Sequence, residues 1–170
     1  MTNIGFTEFL LVTLTIILIV AAVIDVRTFT ISNRLNATVA LLAPVYWWSI
    51  GLPLWPDAAI QVAVALAVFV ALAAAFYIGM MGGGDVKLAA ALALWFSPAS
   101  TVKFLVIMSL AGGLLTVVVL IFHRARSRRA PASADADGEK EIAKPEVPYG
   151  VAIAIGALWI LAQRFLNQFA

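Results

Sequence analysis

The sequence predicts an all-α membrane protein, a bundle of six transmembrane helices. Of its 170 residues, 64% are hydrophobic and only 12% are charged, and its mean hydropathy is +1.03. A soluble domain of this length would need more polar residues to cover its surface, so lipid is the expected solvent. Six apolar segments are separated by short polar turns and one long polar stretch, which predicts a single transmembrane domain over residues 1–170.

The spans are predicted from apolar runs, judged against the roughly 20 residues that cross a bilayer. No Lys or Arg precedes the first run, so it is expected to be a mature helix rather than a signal peptide. Three glycines at 82–84 end the third run, and residues 123–147 are predicted to be a disordered cytoplasmic loop because they are rich in charge. The predicted spans are about residues 6–24, 37–50, 58–78, 86–96, 102–122 and 149–166.

The basic residues predict the orientation of the bundle. Loops alternate between the two faces, and nine of the 11 Lys and Arg residues fall on one face, with only Lys103 and Arg164 on the other. Cytoplasmic loops carry the excess of Lys and Arg, so the first face is expected to be cytoplasmic, with both termini outside. This distribution accounts for the net charge of +2, and nucleic acid is not an expected partner.

Two aspartates are the candidate catalytic residues. The chain has no cysteine and one histidine, His123, so no metal site, disulfide or cysteine nucleophile is expected. Of the nine acidic residues, five lie in the predicted loop, and Glu8 and Asp57 lie on the outer face. Asp25 and Asp85 remain, each at the cytoplasmic end of a span, where an acid is costly to desolvate and usually functional. Each could instead cap a helix or lie in headgroup water.

The chemistry of such a pair depends on the first and fourth helices being neighbours. Two carboxyl groups a few ångströms apart cannot both ionise easily, so one serves as a base and the other as an acid. The base activates water and the acid protonates a scissile carbonyl, which is aspartic-protease chemistry. Asp85 is expected in the first turn of its helix, and the glycines before it would let another chain approach its carboxyl group closely.

Three short motifs resemble those of bacterial type IV prepilin peptidases. The first matches the G-x-G-D-x-K signature, whose core is shared with presenilin-type intramembrane proteases, through Gly82, Gly84, Asp85 and Lys87. The second matches the family's first aspartate motif, with Ser32 where the family usually has Pro, through Asp25, Arg27, Ile31 and Asn33. The third matches the Pro-[Phe/Tyr]-Gly motif that opens the last helix, through Pro148, Tyr149 and Gly150.

The resemblance implies a presenilin-like architecture and a function. It implies that Asp25 and Asp85 are catalytic, that the other residues of the first two motifs support them, and that residues 148–150 line the substrate site. Prepilin peptidases cut a short basic leader from prepilin and pseudopilin precursors at the cytoplasmic face of the bacterial inner membrane. Larger members carry a Cys-x-x-Cys domain and N-methylate the product; this cysteine-free chain resembles the short Tad/Flp type, without methylation, metal or cofactor.

Other functions remain open from the residues alone. Asp25 and Asp85 could form a cation or proton relay in a transporter component, because buried acids and broken helices occur there too. The chain could also be a noncatalytic scaffold of pilus assembly, or a peptidase for other membrane substrates. Cleavage of a prepilin, and its dependence on the two aspartates, would distinguish these functions.

Overall fold

The computed structural model describes residues 4–129 and 147–169, and their regular secondary structure is entirely helical. The expectation of an all-α fold with six helices is therefore confirmed for these residues. The helices are α1 (Ile4–Thr28), α2 (Asn33–Ser49), α3 (Ala59–Tyr77), α4 (Gly83–Ala93), α5 (Pro98–Arg129) and α6 (Tyr149–Phe169), with a π-helical segment at Leu54–Ala58 before α3.

Four stretches of helix are long and apolar enough to cross a membrane: Gly5–Thr28, Leu54–Tyr77, Pro98–Ala125 and Tyr149–Asn167. The other two helices are shorter, with 17 residues in α2 and 11 in α4. At 1.5 Å per residue, α4 is only about 16 Å long, roughly half the thickness of the hydrocarbon core. The protein is thus a helical membrane bundle, and the count of six spans stays a prediction.

The connection between α1 and α2 is shorter than the predicted polar stretch 25–36. α1 continues to Thr28 and α2 begins at Asn33, so only residues 29–32 link the two helices. Backbone hydrogen bonds continue a helix into polar sequence, whereas hydropathy marks only the part that lies in lipid. The polar residues near Asp25 are therefore held by regular helix and do not form a loop.

α5 is longer than predicted at both ends. It begins at Pro98, a favoured first helical residue, and Ser97 Oγ accepts a hydrogen bond from Ser100 N–H at 3.3 Å. It ends at Arg129, so the prediction of a disordered loop is wrong for residues 123–129, where the helix continues past the apolar run. Residues 130–146 of that predicted loop lie outside the described residues.

The six helices pack as two groups that contact each other. α6 lies against α1 and α5, while α4 lies against α2 and α3. α1 also contacts α2, and α4 also contacts α6, which joins the groups. In the part of the chain described, α1 and α4 are connected through α2 and α6 and are not packed along one another.

Aromatic residues fix the far end of α4 against α2. Trp47 Nε1 donates to Leu94 O at 2.8 Å, and Trp95 Nε1 donates to Val39 O at 3.0 Å. The ring of Tyr46 stacks on Trp95 with 4.9 Å between centroids. A buried indole N–H needs an acceptor, so these bonds define the depth of α4 relative to α2. The depth of α4 in turn positions its first turn at the opposite end.

Candidate active site

Asp25 lies on the buried face of α1. It follows Leu18 by seven residues and Ala21 by four, both fully buried, and so continues the stripe of α1 that faces the core. Only 1% of its surface is exposed. The helix extends beyond it, because Phe29 N–H donates to Asp25 O at 2.8 Å. A regular helix therefore directs the carboxyl group into the bundle.

Asp85 lies in the first turn of α4, as the sequence predicts. Leu88 and Leu92 follow it by three and seven residues and are fully buried, so Asp85 also faces inward. It is 7% exposed, and its Oδ1 is buried without a hydrogen-bond partner among the described residues. An unsatisfied buried oxygen is costly, and it marks a place where a water molecule or a ligand group would bind.

The structure brings the two aspartates together at one end of the bundle. Ile31, which follows the end of α1, lies beside Gly150, whose N–H donates to Asp25 Oδ2. Ile31 also lies beside Gly84, the residue immediately before Asp85. α2 and α6 complete the surroundings, since each contacts both α1 and α4. The pairing of two acids distant in sequence therefore results from the packing of four helices.

Gly150 connects the start of α6 to Asp25. Its N–H donates to Asp25 Oδ2 at 2.7 Å, so the helix N-terminus, which favours negative charge, faces the carboxyl group. A Cβ on Gly150 would lie 2.8 Å from Asp25 Cγ and from Ile31 Cδ1, closer than real Cβ atoms approach. Of the three predicted lining residues, Gly150 thus directly contacts a candidate catalytic group.

Two of the three consecutive glycines have a neighbour closer than a side chain allows, and for Gly84 that neighbour is a backbone atom. A Cβ on Gly84 would lie 2.6 Å from Ile31 O, and one on Gly82 would lie 2.8 Å from Asp85 Oδ2. A Cβ on Gly83 would meet only the ring of Phe76, at an ordinary 3.4 Å. The space beside Gly84 was predicted to admit another chain. In the structure, Ile31 of the same chain occupies it.

Asn36 is a residue of the site that sequence reasoning missed. Its Nδ2 donates to Gly84 O at 2.9 Å, it is 5% exposed, and its Oδ1 is buried without a partner in the described part of the chain. The bond ties the turn before Asp85 to the first turns of α2. The sequence signal that could have identified Asn36 is an amide side chain at the edge of an apolar run. Asn33, three residues earlier, lies on the same face of α2.

Asn33 and Lys87, two of the predicted supporting residues, contact each other at the exposed edge of the site. Lys87 Nζ donates to Asn33 Oδ1 at 2.8 Å. Ser32 precedes α2 with φ −69° and ψ 145°, angles that proline also adopts, and its Oγ accepts from Leu35 N–H at 3.3 Å. Serine in place of the family's usual proline therefore keeps the turn and caps the helix.

The contacts described for the remaining predicted residues are with groups other than the two carboxyl groups. Arg27 is exposed on the last turn of α1, and residues two apart on a helix point in different directions. Tyr149 packs towards α5, with its ring 3.5 Å from where a Cβ of Gly112 would lie. Pro148 contributes its carbonyl to the first turn of α6 by accepting from Val151 N–H at 3.2 Å.

The comparisons with known proteins agree with the motif resemblance. Residues 12–117 match the sequence model of the type IV leader peptidase family, a range that includes both aspartates, the three glycines and more than half of the 170 residues. With its long apolar helices, the chain is an integral membrane protein of the peptidase class. It belongs to the type IV leader peptidase family. Comparisons with curated proteins and with solved structures find no match.

Proposed function

We propose that this protein is an aspartic endopeptidase that removes the short basic leader from type IV prepilins of the Flp class, with Asp25 and Asp85 as its catalytic pair. The observation that carries the proposal is the burial of both carboxyl groups at one end of the bundle. Burial of two carboxyl groups is costly, and such groups cluster at sites where their chemistry is used. Membership of a peptidase family favours cleavage over the transporter relay.

The different surroundings of the two carboxyl groups suggest different roles. Asp25 accepts a hydrogen bond from Gly150 N–H, and a donor to a carboxylate stabilises its ionised form. We assign Asp25 as the base that takes a proton from water as the water oxygen attacks the scissile carbonyl carbon. Asp85, whose Oδ1 has no hydrogen-bond partner among the described residues, gives its proton to the carbonyl oxygen, and collapse of the tetrahedral intermediate transfers a proton to the leaving amine.

The proposed membrane arrangement has six spans, with the catalytic pair at the cytoplasmic face of the inner membrane and both termini outside. Arg27, Arg34 and Lys87 lie at the end of the bundle that carries the pair, and Lys103 and Arg164 belong to the opposite end, which agrees with the positive-inside rule. A leader that remains in the cytoplasm would meet the pair as the apolar helix behind it enters the membrane.

The direct test is cleavage of a purified short-leader prepilin by the purified protein in detergent or lipid vesicles. We expect a single cut that releases the leader, seen as a mobility shift and located by mass spectrometry. With S-adenosylmethionine present, the new N-terminus should carry no added methyl group. An intact precursor would contradict the proposed activity, and a methylated product would contradict the proposed absence of methyl transfer.

Asn36→Leu should lower the cleavage rate at least about tenfold, because loss of the bond to Gly84 O frees the turn that positions Asp85. Leucine has a similar volume and removes an unsatisfied amide oxygen, so the thermal unfolding midpoint should change little. Single-turnover cleavage and thermal unfolding in detergent measure the two effects. Thr38→Val, which removes only an exposed bond from Thr38 Oγ1 to Arg34 O within α2, is the comparison and should retain most of the activity.

A further inference from the structure

A groove runs along the outside of the bundle between α2 and α3, with α4 as its floor. α2 and α3 both contact α4, and the space between them measures about 720 Å³. We call it the lateral groove; its walls are apolar, and many of the residues are small. They include Ala37 and Ala40 of α2, Leu66 and Phe69 of α3, and Ala90 and Leu94 of α4.

One end of the lateral groove is polar and adjoins the candidate active site. Asn33, Asn36 and Lys87 line this end. Asn36 donates to Gly84 O, and Gly84 immediately precedes Asp85. The groove therefore extends from the membrane-facing surface of the protein to a side chain that bonds the turn carrying a candidate catalytic acid.

The shape of the lateral groove fits a helix that arrives from the lipid. Small side chains such as Ala37, Ala40 and Ala90 allow a second helix backbone to approach closely, which is how helices associate in a bilayer. Leu66 is 60% exposed, so the wall formed by α3 faces outward and an occupant can enter sideways. A substrate that keeps its apolar helix in the membrane needs such lateral access.

The polar end distinguishes a peptide from a lipid chain as the occupant. Asn36 Oδ1 is buried without a partner among the described residues, and a hydrocarbon tail has no donor for it. The first turn of any α-helix has backbone N–H groups without intrahelical partners. A transmembrane helix that begins at the polar end would bring such donors to Asn36, and the chain preceding it would lead to Asp85.

We propose that the lateral groove is the docking site for the apolar helix of the substrate, with the N-terminal turn of that helix at Asn36. This inference rests on the proposed leader-peptidase function and adds the surface that recognises the uncut precursor. Docking there fixes the distance from the start of the helix to Asp85, so the cleavage position is measured from the point where the apolar segment begins.

Disulfide cross-linking can test the proposal, because the natural chain contains no cysteine. Leu66→Cys introduces one thiol in the lateral groove, and Leu114→Cys is the matched control on α5, where the natural side chain is 66% exposed. Each is combined with Asp85→Asn and mixed with a short-leader prepilin that has a single cysteine in its apolar helix. We expect at least tenfold more cross-linked product with Leu66→Cys. Equal yields, or a higher yield with Leu114→Cys, would overturn the docking site.

A steric variant tests the same site in protein with both aspartates intact. Ala37→Phe fills the groove, whereas Ala67→Phe adds the same ring at an exposed position of α3 outside the groove lining. We expect Ala37→Phe to lower kcat/KM for the full prepilin at least tenfold, and to leave unchanged the cleavage of a leader peptide that lacks the apolar helix. Ala67→Phe should match the natural protein on both substrates.

The outcomes separate the docking site from the proposed function. If the natural protein cuts no prepilin, the function fails and the docking site fails with it. If it cuts prepilin and Ala37→Phe cuts equally well, only the docking site is overturned, and the groove is a lipid-filled surface. Equal loss on the full prepilin and on the short leader peptide would also overturn it, since the ring would then act on the catalytic pair.

Discussion

Asp25→Asn and Asp85→Asn are each expected to lower prepilin cleavage by about 10³-fold or more, a loss within the range for removal of a general acid or base. Asparagine has nearly the size of aspartate but neither takes up nor releases the required proton. Both positions are almost fully buried on core-facing stripes, so a neutral amide should be tolerated without unfolding. The ratio of precursor to mature pilin on an immunoblot, with the amount of protein in the membrane, measures the effect.

Asp57→Asn is the matched control, because it makes the same chemical change at an exposed aspartate. Asp57 precedes α3, at the end of the bundle opposite Asp25 and Asp85. It should process prepilin at the natural rate. Full processing by either Asp25→Asn or Asp85→Asn would remove that residue from the catalytic pair. Loss of the variant from the membrane, by contrast, would indicate failed insertion. The cleavage rate per purified molecule would then show whether the aspartate is needed for cleavage.

Gly84→Ala is expected to lower the cleavage rate by about 10²-fold, the scale associated with a displacement of about 1 Å in an active site. Its new Cβ would lie 2.6 Å from Ile31 O, and a backbone atom has little freedom to move away. The start of α4 must then shift, and Asp85, the next residue, shifts with it. Single-turnover cleavage of a short-leader prepilin measures this loss independently of product release.

Gly83→Ala provides the comparison at the neighbouring position. Its Cβ meets only the ring of Phe76 at 3.4 Å, an ordinary contact, and alanine at a compatible backbone position stabilises by about 0.4–1 kcal/mol because it restricts the unfolded chain. The variant should therefore be as active as the natural protein and at least as stable. If both alanine variants lost activity equally, the loss would result from reduced flexibility of the glycine run. The explanation from the contact between Gly84 and Ile31 would then be wrong.

The sequence predicted the helices and the aspartates because both depend on local patterns. Apolar runs identified the long helices, and the family match agrees with the motifs around Asp25 and Asp85. The helix ends were less predictable: α1 and α5 continue into polar sequence, which hydropathy assigns to loops. The brevity of α4 was visible as a short apolar run, but the indole bonds that position it join residues far apart in the chain.

The parts of the site that the sequence did not predict are contacts between distant segments. Asn36 donates to Gly84 O, and Ile31 lies against both Gly84 and Gly150. These residues are far apart in the sequence, so no local sequence pattern predicts the contacts. The glycines were predicted to let an approaching chain come close to the carboxyl group, whereas the fold places Ile31 of this chain beside Gly84. Arg27 shows the opposite case, since it belongs to a motif yet faces away from Asp25.

The buried stripe of α1 that ends in Asp25 constrains the register of that helix. One inserted residue turns everything beyond it by 100°, so an insertion between Ala21 and Asp25 would point the carboxylate towards the acyl chains, where a charge is costly. α1 can therefore change length freely only before its core-facing residues begin. The angle between its hydrophobic ridge and Asp25 therefore matters to the proposed catalytic pair as much as the presence of the carboxyl group itself.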